Sequence, residues 1–148
     1  SSFAAPVIVA SGVEARLIEA EGALQAGNTA LFLSLLNGPR ANAAVRARYG
    51  ITSPAALPPL VLPATRAEQE NLLFRERAFW LFLTGHRLGD LRRLARPVSD
   101  GGYGRPVESV FPTGAYKTGQ TYGPEVTFAP DQREQLNPNF AGCLDRDP

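Results

Sequence analysis

The feature that most constrains the fold is an apolar helical segment at residues 72–83, where nine of twelve residues are apolar. Thr65 and Glu68 precede it with the spacing of a capping box, which predicts a helix over 66–84. A helix that is apolar on nearly all sides is expected to be buried on nearly all sides. Trp80 is therefore expected to lie in the core of a helical protein.

One carboxylate interrupts this segment, between two arginines. A Glu76 side chain turned into such a core destabilises the fold unless it is paired. The candidate partners that follow along the chain are Arg87, Arg92 and Arg93, and Asp90 can meet an arginine of the same segment. A catalytic acid or an anion site is the functional alternative. Because the charges balance locally, we instead predict a structural ion-pair network of Glu76, Arg87, Asp90 and Arg92.

A pair of helices is predicted upstream. Ser11 and Glu14 have capping-box spacing and open the first helix, which Gly27 ends as a left-handed cap. Asn28 is placed to cap the second helix, and the short turn between them favours antiparallel packing. This arrangement is typical of a helical hairpin, of which one copy is visible.

The chain between and after these helices is punctuated by proline and glycine. Gly38-Pro39 is expected to interrupt the second helix, and residues 41–49 to form a short further one. Residues 51–64 contain four prolines and are expected to run extended over the surface. A short helix is predicted over 86–94.

Composition divides the chain near Pro97. Residues 1–97 carry eleven arginines against seven acidic residues, a balance of +4, and residues 98–148 carry four basic and seven acidic residues, a balance of −3. The second part holds seven glycines and six prolines. We predict a mainly α fold: a tetratricopeptide-like helical hairpin scaffold, 1–97, with a Gly/Pro-rich, loop-dominated C-terminal region, 98–148, packed on it as a cap within one structural domain.

Several function classes are disfavoured by composition. A net charge of +1 over 148 residues argues against a nucleic-acid partner. The single cysteine, Cys143, excludes an internal disulfide or a Cys-rich zinc site, and we interpret it as a buried or tolerated thiol. His86 is the only histidine and lacks the spacing of a zinc motif, so a packed ring with one bonded nitrogen is expected. No metal or cofactor is predicted, and a catalytic Ser-His-Asp set stays open.

The C-terminal part predicts little regular structure. Short strands are expected at 107–111 and 125–128, one helical turn at 131–135, and a turn at Asn137-Pro138-Asn139. The glycines of residues 101–104 resemble a phosphate loop only superficially, because the Lys-Ser/Thr and the following helix are missing.

Three tyrosines of this part are the candidate ligand-binding residues. Tyr103, Tyr116 and Tyr122 lie among Gly and Thr, in segments that can present rings to solvent. Exposed rings stack on the C–H faces of sugars, and their hydroxyls hydrogen-bond to sugar hydroxyls. The alternative is that each ring covers the helical core.

The run of residues 76–93, ERAFWLFLTGHRLGDLRR, resembles the E-R-x-x-E-L-x-x-E-G-H-R-x-x-D-L-R-R stretch of the SusD/RagB family of outer-membrane nutrient-binding lipoproteins. Residues 16–40 resemble that family's helical hairpin. The tail is similar in Val110-Phe111-Pro112, in Asn137-Pro138-Asn139 and in residues 142–146. Trp80 and Thr84 replace two glutamates of the pattern, which implies a variant with a more apolar helix.

The resemblance implies a cell-surface, outer-membrane protein without enzymatic activity. It would bind an oligosaccharide or other nutrient and sit on a TonB-dependent, SusC-like transporter. No ligand-contacting residue of the family maps onto this chain. Because no methionine is present, we expect a processed chain or a piece of a longer one, lacking the signal and lipid-attachment segment.

Two alternatives remain open. A structural or assembly subunit would self-associate through an exposed helical face. A glycosidase would need two carboxylates about 5–10 Å apart across a cleft, and Glu108, Glu125 and Asp131 are scattered in loops.

Overall fold

The computed structural model describes residues 10–52, 57–123, 126–127, 133 and 136–139, and the chain is mainly helical. The elements, in order, are α1 Gly12–Gln25, α2 Thr29–Ala41, α3 Ala43–Arg48, α4 Arg66–Trp80, α5 His86–Ala95, a 3₁₀ turn Val98–Asp100 and α6 Val107–Val110. Within the described ranges, β structure is limited to one isolated antiparallel bridge, Ala115 to Thr121. Of two compact units, one ends at His86 and the other begins at Arg87, so this boundary precedes the predicted one near Pro97.

The predicted caps of α1 and α2 form. Ser11 Oγ accepts the Glu14 N–H at 3.1 Å, and Asn28 Oδ1 accepts the Leu31 N–H at 3.1 Å. Gly27 has a φ of 73°, as a left-handed cap requires. The capping box at Ser11 is only half formed, however, because the Glu14 carboxylate contacts His86 instead.

The prediction that Gly38-Pro39 interrupts the second helix was wrong. Helix α2 continues through Pro39 to Ala41, and the Asn42 N–H bonds to Gly38 O at 3.2 Å. A proline φ suits a helix, and the absent N–H costs only one hydrogen bond in this last turn. Asn42 then caps α3 through Oδ1, which accepts from Ala44 and Val45.

The core of the first unit is built by α1, α2 and α4, and α1 packs against both of the others. Trp80 is 1% exposed, so the prediction that it lies in the core is confirmed. The largest fully buried side chains belong to the same three helices: Leu17, Leu24, Phe32, Leu36, Leu73 and Trp80.

The long apolar helix ends earlier than predicted. α4 stops at Trp80, and residues 81–85 form a turn in which Leu83 has a φ of 60°. Phe82 is 73% exposed and Leu83 is 89% exposed. The expectation of burial on nearly all sides was therefore wrong: Phe79 within the helix is 47% exposed, and Phe82 and Leu83 lie beyond the helix end in an exposed turn.

The described residues of the proline-rich connection, 51–52 and 57–64, form no helix or strand. Asn37 holds it reciprocally: Leu60 N–H donates to Asn37 Oδ1 at 2.8 Å, and Asn37 Nδ2 donates to Leu60 O at 3.3 Å. Gln69 Nε2 donates to Pro63 O at 2.9 Å. Side chains of α2 and α4 thus replace the backbone partners that an extended segment lacks.

In the second unit, the strand predicted at 107–111 was wrong, because Val107–Val110 is the short helix α6. Pro106 is its N-cap residue, with a φ of −56° and a ψ of 134°. The turn at Asn137-Pro138-Asn139 is confirmed, with Asn139 N–H donating to Asn137 Oδ1 at 3.0 Å. Two of the four residues of the strand predicted at 125–128, four of the five of the helical turn predicted at 131–135, and Cys143 lie outside the described residues.

Candidate functional site

Two of the three candidate tyrosines form a pair on one tight loop. The bridge between Ala115 and Thr121 is flanked by a Tyr116 N–H to Gln120 O bond of 2.9 Å and a Tyr122 N–H to Gly114 O bond of 2.9 Å. Tyr116 and Tyr122 each follow a bridge residue, so both point to the opposite face from the bridge pair, on a diagonal. Their ring centroids are 5.0 Å apart, with an interplanar angle of 39°.

This tyrosine pair is open to solvent and carries a polar edge. Tyr116 is 38% exposed and Tyr122 is 44% exposed. The Tyr116 hydroxyl donates to Gln120 Oε1. Two tilted rings with hydroxyl and amide groups at their edge offer stacking faces together with hydrogen-bonding groups, the combination that sugar rings require.

Tyr103 has a different setting and is not part of the tyrosine pair. It is half-buried, and its backbone N–H donates to Arg93 O at 3.1 Å. Gly104 N–H donates to Arg96 O at 2.8 Å, and Arg105 N–H donates to Leu94 O at 3.0 Å. These N–H groups satisfy the carbonyls at the end of α5. They are therefore not available to a phosphate, which agrees with the superficial nature of the phosphate-loop likeness.

Glu76 is buried, but its arginine comes from a helix that the sequence did not indicate. The residue is 2% exposed, and Arg40 Nη1 of α2 lies 3.1 Å from Oε1 and 3.0 Å from Oε2. Trp80 Nε1 donates to Oε2 at 3.3 Å. The partner of Glu76 therefore lies on α2, earlier in the chain, and not on the helix that follows α4.

The other members of the predicted network lie on α5. Asp90 is 4% exposed, with Arg93 Nη1 at 3.5 Å from its Oδ1. Arg92 Nη1 donates to the backbone carbonyl of Val126 at 3.3 Å, and Arg87 is exposed. Asp90 therefore meets Arg93, which was not a member of the predicted network, and Arg92 contacts a carbonyl.

His86 is bonded at both ring nitrogens rather than at one. Nε2 lies 2.8 Å from Glu14 Oε1, and Nδ1 lies 2.7 Å from Thr84 Oγ1. From the sequence, Glu14 was assigned to a capping box, and Thr84 was noted only because it stands where the SusD/RagB pattern has a glutamate. Neither residue was indicated as a partner of His86. Within the described ranges, no group of three or more His, Cys, Asp and Glu side chains is arranged to hold a metal.

An apolar cavity of about 520 Å³ lies beside Trp80 in the first unit. Its volume falls within the range of small-molecule sites. The Tyr49 hydroxyl, at its edge, is 3.4 Å from Ser11 Oγ. The cavity is lined by Tyr49, Ile51, Ala78, Phe79, Trp80 and Phe82.

Comparison with known proteins identifies no relative: no family model matches this chain, and neither a curated protein nor a solved structure is significantly similar to it. In the part of the chain that the structure describes, every helix is too short or too polar to cross a lipid bilayer.

Proposed function

We propose that this chain is part of a nutrient-binding protein of the cell surface that captures oligosaccharides for uptake through the outer membrane. The observation that carries the proposal is the tyrosine pair, two solvent-exposed rings at a centroid distance of 5.0 Å. The SusD/RagB-like motif over residues 76–93 supports the same function. A tetratricopeptide-like scaffold, a TonB-dependent transporter as partner and an outer-membrane location belong to this proposal.

The tyrosine pair suits binding because its loop is already shaped. Gly114 and Gly119 have φ values of 80° and 81°, and the Gly119 N–H bonds to Tyr116 O at 2.8 Å. A preformed loop loses little conformational freedom when a ligand binds, so more of the contact energy is available for affinity. Binding here needs no chemical step, and the protein is proposed to pass its ligand on unchanged.

The test is calorimetric titration with a panel of neutral oligosaccharides of glucose, mannose, xylose and galactose. We expect at least one to bind, and Tyr116→Ala and Tyr122→Ala each to weaken that binding about tenfold, or ~1.4 kcal/mol. Tyr116→Phe and Tyr122→Phe are the matched controls, because they keep the stacking faces. Failure of every sugar to bind, or alanine variants that bind like the wild type, would exclude the tyrosine pair as a sugar site.

Self-association is the second candidate function, and exposed apolar side chains favour it. Phe79 is 47% exposed, and the neighbouring turn adds the still more exposed Phe82 and Leu83. Apolar residues clustered in this way typically mark a contact surface. Sedimentation velocity over a hundredfold concentration range tests this: we expect growth in size that a Phe82→Ser/Leu83→Ser variant abolishes. A monomer at every concentration would rule the assembly function out.

A further inference from the structure

Three short polar contacts run in series between α1 and the turn at residues 81–85. Glu14 Oε1 lies 2.8 Å from His86 Nε2, and His86 Nδ1 lies 2.7 Å from Thr84 Oγ1. Thr84 Oγ1 in turn lies 2.6 Å from Leu81 O. All three distances are within hydrogen-bonding range, so each contact requires one hydrogen.

The supply of hydrogens identifies the protonation state. Leu81 O is an acceptor only, and an ionised Glu14 carboxylate also brings no hydrogen. The Thr84 hydroxyl supplies one, and it is directed to Leu81 O because that carbonyl has no hydrogen to offer. The remaining two contacts are satisfied together when both ring nitrogens of His86 carry hydrogen, which is the imidazolium form. Such a ring has no free lone pair with which to activate Thr84 as a nucleophile.

The same contacts hold an unusual backbone turn. Leu83 has a φ of 60°, a left-handed conformation that is unfavourable for a non-glycine residue. Leu81 O accepts both the Thr84 hydroxyl and, at 3.2 Å, the Thr84 N–H, so Thr84 closes the turn. His86 then connects that closed turn to the start of α1.

We propose that His86 is a protonation-dependent clasp that keeps Phe82 and Leu83 presented to solvent. Histidine loses its charge between pH 5 and 8 in most settings. Loss of one ring proton leaves two hydrogens for three contacts, so one contact of the series is broken. Either the turn is then released from α1, or the Thr84 hydroxyl turns from Leu81 O to the ring, and in both cases the Leu83 conformation is released. Acidic conditions close the clasp, and alkaline conditions open it.

Two other carboxylates of the neighbouring elements are paired with arginines. On α1, Arg16 and Glu19 bond to each other at 2.6 Å. On α4, Glu76 is held by Arg40. The other titratable or charged groups of these elements are Glu21 on α1, Tyr49 at the end of α3, Arg75 and Arg77 on α4, and Arg87, Asp90, Arg92 and Arg93 on α5. Glu14 is the carboxylate in contact with the ring.

Because the chain has one histidine and one tryptophan, the clasp can be read without ambiguity. Nitrogen-15 NMR of the labelled chain reports hydrogen on each ring nitrogen, and Trp80 emission reports the end of α4 next to the turn. At about pH 5.5 we expect both nitrogens to carry hydrogen. Towards about pH 8.5 we expect the ring signals, the Thr84 and Gly85 amide shifts and the Trp80 emission to change together.

Two variants separate the clasp from a merely structural histidine. Glu14→Gln removes the carboxylate that fixes the ring, and Thr84→Val keeps the side-chain shape but removes the hydroxyl. Both are expected to abolish the pH-linked change of the Gly85 amide and of Trp80 while the imidazole still titrates. A neutral ring at pH 5.5 in the wild type would overturn the proposal, as would turn signals that ignore the ring's titration. Thr84→Val keeps the test valid if Glu14→Gln does not fold.

Discussion

Arg40 and Glu76 are 36 residues apart in sequence, and one guanidinium nitrogen of Arg40 contacts both carboxylate oxygens of Glu76. The Arg40 side chain is 14% exposed and that of Glu76 is 3% exposed. Arg40 Nε also donates to Pro58 O at 3.1 Å, so one side chain joins α2, α4 and the proline-rich connection. This pair is therefore the polar centre of the first unit.

Removing the charge of Glu76 leaves the guanidinium of Arg40 largely buried and uncompensated. We expect Glu76→Gln to lower the free energy of unfolding by about 3–5 kcal/mol, as for other broken buried ion pairs. Urea denaturation measures this. Arg75→Gln is the control, because Arg75 is 67% exposed and 4.0 Å from Glu76, and it should cost less than about 0.5 kcal/mol. Equal stability of Glu76→Gln and the control would contradict the role given to the pair.

Alanine substitutions at two glycines, one within α5 and one after it, should change the stability in opposite directions. A Cβ on Gly102 would lie 2.1 Å from Arg96 O, a backbone atom that cannot move aside cheaply, whereas a Cβ on Gly89 meets nothing within 4 Å. Gly102→Ala should therefore displace the segment that caps α5 and destabilise the fold by more than about 1 kcal/mol. Gly89→Ala should raise stability by about 0.5–1 kcal/mol, because alanine favours the helix. Thermal unfolding of the two variants compares the signs directly.

Leu83 is expected to be replaceable by glycine with a gain in stability. Its φ of 60° is penalised for leucine, and its side chain is too exposed to contribute much burial. We expect Leu83→Gly to raise the free energy of unfolding by up to about 1 kcal/mol, the relief of strain less the greater chain entropy of glycine. Leu83→Ala keeps the Cβ and is the control. A loss of stability in the glycine variant alone would argue against strain at this position.

The capping box of α4 should make the stability of the protein depend on pH in a defined direction. Hydrogen bonds from the Thr65 backbone N–H and from its hydroxyl to Glu68 Oε2, at 3.0 and 2.9 Å, hold the pKa of Glu68 below its ordinary value. A carboxyl whose pKa is lower when folded stabilises the protein above the unfolded value of about 4.3 and loses that contribution as the pH falls through the folded pKa.

Glu68→Gln tests this sign. Urea unfolding at neutral pH should show the variant to be less stable than the wild type, and the difference should shrink as the pH falls below about 4. Glu70→Gln is a poorer reference, because the Glu70 side chain is only 15% exposed and pairs with Arg66 at 2.9 Å. Glu19→Gln serves as the reference, because its pair with Arg16 is solvent-exposed and contributes little to stability. A difference that grows towards acid would show that the sign is wrong.

Local signals in the sequence located the helices well. Ser11, Asn28 and Thr65 cap the helices that they were predicted to cap, and Gly27 adopts the left-handed conformation that its lack of a Cβ permits. Such signals succeed because an N-cap bond joins residues three apart, and no distant part of the chain is needed to form it. The burial of Trp80 and Glu76 also followed from the apolar sequence around them.

The site residues were harder to assign because their partners are distant in sequence. Nothing in the spacing of Arg40 and Glu76, or of Glu14 and His86, indicates that they meet. The end of α4 at Trp80 was likewise missed, because a run of apolar residues does not indicate where the backbone leaves the helix. Tyr116 and Tyr122 were identified as candidates, but only the bridge between Ala115 and Thr121 brings their rings together.

By itself, then, the sequence determined a mainly helical chain, the starts of its helices and the residues that had to be buried, because these depend on hydrogen bonds and apolar spacing within a few residues. Tertiary structure alone decided which arginine neutralises Glu76, which carboxylate meets His86 and which apolar side chains remain exposed. The physical reason is that charge pairing and burial depend on distance in space, and helix packing sets that distance for residues tens of positions apart.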